Sequence, residues 1–110
     1  MEISITESGD VRILSFQGNL DTNTSVQAES EINSLIEAGA QKLLVNFEKL
    51  DYISSAGLRI LLATAKKLKA SKGVLQICCL NETVQEVFDI SGFATILNVS
   101  TTEEEALGAF

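Results

Sequence analysis

The sequence predicts an α/β fold: a mixed β-sheet with helices packed against it, in the order β-β-α-β-α-β-α-β-α. Three observations carry this expectation. Short apolar runs of strand character alternate with longer stretches whose apolar residues recur at helical spacing. Glycine, asparagine and serine punctuate the joints between them. Single helices between later strands call for right-handed parallel crossovers, whereas the first two strands are close enough for a hairpin.

Residues 3–7 and 11–16 read as two strands around a turn at Ser8-Gly9-Asp10, and the turn residues favour an antiparallel hairpin. In the second strand Val11, Ile13 and Ser15 alternate with Arg12, Leu14 and Phe16. Gly18-Asn19-Leu20-Asp21 breaks the pattern. A helix follows over residues 23–38, with Val26, Ile32, Leu35 and Ile36 at helical spacing, Thr22 or Asn23 as N-cap and Gly39 just past its end. Residues 42–47 read as a buried strand, and a loop continues through Asp51. The clearest helix spans 56–71. Leu58, Leu61, Leu62, Ala65 and Leu68 share one of its faces, and Gly73 closes it. Residues 74–80 form the next strand. Asn81 caps a helix over 82–90, in which Val84, Val87 and Phe88 face inward and Gly92 marks the end. Residues 95–99 give a last strand. A capping box, Thr101 with Glu104 or Thr102 with Glu105, then opens a terminal helix.

Residues 1–110 are expected to form one domain, because domains most often run to roughly 100–150 residues. The N-terminus has neither a basic start nor a long apolar stretch. No apolar run approaches the roughly 18–20 residues of a membrane span. A cytoplasmic chain without membrane insertion is the expectation. A net charge of −7 repels phosphate backbones and disfavours nucleic acid. The cations Arg59, Lys66, Lys67, Lys69 and Lys72 do gather, but the last four sit where a helix would end and complement its dipole. Cys78 and Cys79 are neighbours in a strand and should point to opposite faces, so a bridge between them would be strained. They read as buried, reduced hydrophobes.

The chemistry to expect is limited. Having no histidine removes the commonest general base, the usual metal ligand and any Ser-His-Asp triad. The G-x-S-x-G elbow and the glycine-rich phosphate loops are missing. The carboxylates fall mainly in caps, first turns and exposed helix faces. No catalytic residues, metal or cofactor are therefore expected. One segment stands out: Asp51-Tyr52-Ile53-Ser54-Ser55-Ala56-Gly57-Leu58-Arg59 joins a buried strand to the strongest helix. Ser54 or Ser55 can cap that helix. A helix N-terminus also stabilises an anion, and Arg59, four residues beyond Ser55, can reach the same spot. Both readings can hold at once.

Tyr52 to Arg59, following Leu43-Leu44-Val45-Asn46-Phe47, resembles the phosphorylation-site region of bacterial anti-sigma factor antagonists, members of the STAS domain family. Gly18-Asn19-Leu20-Asp21 resembles the family's G-x-L-D turn. Residues 84–93 resemble its late helix ending in glycine. The resemblance covers nearly the whole chain, and its motifs gain specificity from their order and spacing.

The resemblance implies that Ser55, two residues before Gly57, is the phosphoacceptor, with Ser54 as the competing one. Many members carry aspartate where this chain has Ser54. It implies partner switching: the unphosphorylated domain, a monomer when free, binds an anti-sigma factor that is itself a serine kinase. That kinase phosphorylates Ser55, and a phosphatase of the PP2C type reverses the mark. The binding face is expected on residues 18–24 and 51–59, with Leu20, Asp21, Thr22 and Asn23 beside Ser54, Ser55, Ala56, Gly57, Leu58 and Arg59. Leu20 can equally be core, and Asp21 a turn or cap. The alternative is a stand-alone STAS subunit of a stress-sensing, secretion-control or lipid-transport assembly without a sigma factor. A hydrolase with Ser55 as nucleophile lacks an evident base.

Overall fold

The computed structural model describes residues 1–110. The elements are β1 (Glu2–Ser8), β2 (Val11–Leu20), α1 (Thr22–Glu37), β3 (Lys42–Ile53), α2 (Ser55–Ala70), β4 (Val74–Cys78), α3 (Glu82–Ser91), a single 3-10 turn (Phe93–Thr95), β5 (Asn98–Ser100) and α4 (Glu103–Gly108). The strands lie side by side in chain order, β1 antiparallel to β2 and each later pair parallel. With right-handed crossovers, that order sends α1, α2 and α3 to one face of the sheet.

The main core lies under those three helices. Leu14, Phe16, Leu43, Val45, Phe47, Leu75 and Ile77 project from the sheet against Ala28, Ile32, Leu61, Leu68, Val84 and Phe88. Phe16 and Phe47 meet edge to face, ring centroids 5.4 Å apart. Each fully buried Leu or Phe side chain stabilises by about 1.5–3 kcal/mol, so this layer is the chief source of stability. On the other face a smaller cluster of Val11, Ile13, Leu44, Cys78 and Ala106 lies beneath α4. No helix is long and apolar enough to cross a membrane.

The order of elements matches the sequence reading, and several boundaries differ. β2 runs on to Leu20 and β3 to Ile53, through the segments expected to be a break and a loop. Register shifts between Ser15 and Gln17 and between Gly18 and Asn19 take up the irregularity, and Gly18 adopts a φ of +106°. Bulges let the ladder continue where side-chain alternation fails. The α1 cap is Asp21, neither Thr22 nor Asn23. Val26, expected inward, is 72% exposed, because Ser25, Ala28 and Ile32 form the buried stripe. Ser71 caps α2, and Gly73 is required by close approach: a Cβ there would stand 2.4 Å from the Gln41 carbonyl oxygen.

β4 stops at Cys78, since Cys79 takes a φ of +65°. The strand expected over 95–99 divides into the 3-10 turn and β5, shifted toward Ser100. Asn81 caps α3 through the Val84 N–H, and Gly92 ends it in the left-handed conformation, both as read from the sequence. Of the two capping boxes proposed for α4, Thr102 makes the cap, accepting from the Glu105 N–H at 3.1 Å.

Candidate phosphoacceptor and binding edge

Parallel pairing of β2 with β3 sets their C-terminal ends together, with Leu20 opposite Ile53 and Asn19 opposite Tyr52. The two segments singled out in the sequence therefore converge on one edge. The Ser54 N–H donates to the Leu20 carbonyl at 2.9 Å. Gly57 rests on the same two strand ends: a Cβ there would stand 2.8 Å from Ile53 Cγ1 and 2.9 Å from Leu20 Cγ. Only glycine lets the first turn of α2 sit this low.

The two serines differ sharply in what they do. Ser54 is extended, with φ −93° and ψ 173°, and its hydroxyl accepts from the Gly57 N–H at 3.3 Å. Its carbonyl accepts the Leu58 N–H at 3.0 Å. Ser54 is thus the N-cap, half-buried and committed to the helix. Ser55 is the first helical residue and is exposed.

The surroundings of Ser55 favour negative charge. The first turn of α2 contains no acidic residue. The Ser55 and Ala56 N–H groups have no intrahelical acceptor, and the dipole adds partial positive charge. Arg59, one turn on, is exposed. It takes part in neither ion pair of the chain, Arg12–Glu7 or Lys42–Asp10.

Asp21 holds the other half of the edge. Its Oδ1 accepts from the Asn23 and Thr24 N–H groups, each at 3.0 Å, and Thr24 Oγ1 accepts the Asp21 N–H at 2.9 Å. The bonds to Oδ1, that from the Thr24 N–H first, with those from the Thr24 hydroxyl and the Asn23 N–H, hold the Asp21 carboxyl below its ordinary value of 3.8. Thr22 and Asn23 beside it are exposed.

Three residues expected to touch a partner do not present their side chains. Leu20 and Leu58 are 0% and 4% exposed and belong to the main core, and Gly57 is buried against Leu20 and Ile53. They form the floor of the edge rather than its surface. Sequence reasoning also missed an open groove of about 340 Å³ between α1 and α2, lined by Ser25, Val26, Glu29, Ala56, Arg59 and Ile60 among others. It adjoins Ser55 through Ala56. The spacing of Ser25, Ala28, Ile32, Leu35 and Ile36 forms a better helical stripe than one through Val26, and this was the available signal. Tyr52, within the expected 51–59 face, is 46% exposed beside Asn19. No three His, Cys, Asp or Glu side chains cluster as a metal site needs.

Comparison with known proteins agrees with this architecture. The profile of the STAS domain matches residues 2–106. A Bordetella bronchiseptica protein named as a candidate anti-sigma factor antagonist, BtrV, is 36% identical over 110 residues, covering 100% of this chain and 95% of that one. The crystal structure of a candidate anti-sigma factor antagonist from Thermotoga maritima superimposes with a TM-score of 0.92 at 19% identity, covering 97% of this chain and 92% of the other. The Bacillus cell fate determinant SpoIIAA, in its phosphorylated form, superimposes with a TM-score of 0.74 at 25% identity, covering 98% of each chain.

Proposed function

Because the chain belongs to the STAS domain family, we propose that it is an anti-sigma factor antagonist, a regulatory and non-catalytic protein working by partner switching. With Ser55 unmodified it binds an anti-sigma factor; with Ser55 phosphorylated it lets go. The anti-sigma factor is the serine kinase. It moves the γ-phosphoryl group of ATP to the Ser55 hydroxyl oxygen, releasing ADP and the hydroxyl proton. A metal-dependent phosphatase of the PP2C type hydrolyses the phosphoserine.

The division of labour between the two serines carries this reading. Ser54 holds the cap, so Ser55 is modified without uncapping the helix. A phosphoserine adds about −1.5 to −2 charges beside free N–H groups and Arg59, which favour it locally. The α2 turn therefore stays folded, and the new charge acts on the partner. A partner surface matched to a neutral hydroxyl meets a dianion, with the repulsion and desolvation that follow. About 1.4 kcal/mol of lost binding is already tenfold in affinity.

Calorimetric titration of the anti-sigma factor kinase with the unmodified chain and with the chain phosphorylated at position 55 tests the switch. At least a tenfold weaker affinity for the phosphorylated chain is expected. Equal affinities contradict the proposal.

A further inference from the structure

Cys78 and Cys79 lie away from the Ser55 edge, with Cys78 in the cluster beneath α4 and Cys79 packed against it. In a regular strand their side chains point to opposite faces. Here Cys79 takes a φ of +65°, a conformation that residues with side chains rarely adopt, and the two Sγ atoms stand 3.5 Å apart. The turn is anchored to β5: Cys78 pairs with Ser100, and the Cys79 N–H donates to the Ser100 carbonyl at 3.3 Å.

From this geometry we infer that Cys78 and Cys79 form a dithiol site for a thiophilic centre with two open valences, of which a trivalent organoarsenical is the type, roofed by α4. Distances decide between this and a disulfide. A disulfide needs about 2.05 Å between sulfurs and Cα atoms usually at least about 4.4 Å apart, whereas neighbours across a trans peptide are about 3.8 Å apart. Two sulfurs each about 2.3 Å from one bridging atom, at the angle of about 100° of pyramidal arsenic(III), stand about 3.5 Å apart, the separation found. The pair is poorly placed for a direct bond and well placed for a bridging atom.

Two ligands are half of what a structural zinc site takes. They complete an organoarsenic(III), whose third valence is carbon. In the reaction two thiols meet an arsenoxide, R–As=O; two As–S bonds form and the oxide leaves as water carrying both thiol protons. Arsenic stays trivalent, so no oxidant or reductant is needed. Burial, together with Cys79 and the carboxylates of Glu103 and Glu48, pushes the Cys78 thiol up and keeps it protonated.

The half-buried Cys79 engages first and the buried Cys78 closes the ring. Ala106, Leu107 and Phe110 pack over this cluster. α4 has six residues, and its side-chain ties to the sheet are the Asn46 Nδ2–Glu103 bond at 3.1 Å and a bond from Gln76 Nε2 to the Ala109 carbonyl at 3.5 Å. A helix so short and so lightly tied opens more readily than the core.

The test treats the folded full chain with phenylarsine oxide, adds excess 2-mercaptoethanol, and reads the intact mass and the amide NMR spectrum. One adduct per chain that survives the monothiol and is removed by 2,3-dimercaptopropanol is expected, with shifted amides in residues 103–108 and unshifted ones in α1 and α2. Cys79→Gly, which suits the left-handed backbone and keeps the fold, and Cys78→Ala should each lose the adduct. A folded chain without a monothiol-resistant adduct overturns the site, as does an adduct formed only in urea or one retained by Cys79→Gly. The inference is independent of Ser55.

Discussion

The backbone N–H of Ser54 donates to the Leu20 carbonyl across 2.9 Å, joining the end of β2 to the first turn of α2. A main-chain bond between two strand-end segments far apart in sequence makes one surface of them. Its consequences are measurable.

Ser54 and Ser55 should separate cleanly in stability. Ser54→Ala removes the N-cap and should destabilise by about 1 kcal/mol. Ser55→Ala, at an exposed position outside the cap, should stay within about 0.5 kcal/mol of the parent. Urea unfolding of both variants checks this; equal losses would mean that the cap is shared.

Gly57→Ala should destabilise the chain although alanine is the better helix former. The propensity gain is up to about 1 kcal/mol, and overpacking typically costs about 1–3 kcal/mol. Overpacking wins here because the added Cβ would lie 2.8 Å from Ile53 Cγ1 and 3.0 Å from the Leu20 carbonyl oxygen. A lowered Tm is the expected result, and an unchanged or raised one would show that the turn rises at no cost.

Asp21 should contribute to acid sensitivity. Its folded-state carboxyl lies below the ordinary 3.8, held there by the Thr24 and Asn23 N–H groups. A depressed carboxyl stabilises the fold above its unfolded value, and that stability is lost as pH falls through the folded one. Asp21→Asn keeps a good cap without the charge. The gap between parent and variant should therefore shrink as unfolding is measured from neutral pH to below 3.8. A gap independent of pH would exclude this role.

Arg59 should be felt by a phosphate on Ser55. An exposed ion pair contributes about 0.2–1 kcal/mol, and one pKa unit is about 1.4 kcal/mol. Arg59→Gln should therefore raise the second ionisation of the phosphoserine by about 0.1–0.7 unit. Phosphorus NMR titration reads this directly, and an unchanged value would mean that the guanidinium points elsewhere.

What was legible in the sequence was local. The capping bonds of Asn81 to Val84 and of Thr102 to Glu105, and the left-handed turn at Gly92, lie within a few residues, so each cap could be read from neighbours, whereas the bond from Asn81 Nδ2 to the Leu50 carbonyl at 2.7 Å could not. The ends of β2 and β3 were not legible, since bulges at Ser15–Gln17 and Gly18–Asn19 break the alternation while pairing continues to Leu20 and Ile53. The same fact separates the site residues. Ser55 and Asp21 were named from motif and position, but which serine caps, and that Leu20 and Leu58 are floor, depend on how β2, β3 and α2 pack. Cys79 turns back toward Cys78 through a backbone conformation that no spacing announces.

The central claim is that Ser55, and not the capping Ser54, receives the phosphate. Mass-spectrometric mapping after incubation with the anti-sigma factor kinase and ATP, on the parent and on Ser54→Ala and Ser55→Ala, tests it most directly. The account predicts one phosphate on Ser55, retained in Ser54→Ala and abolished in Ser55→Ala. Phosphate on Ser54, or undiminished incorporation in Ser55→Ala, would contradict it.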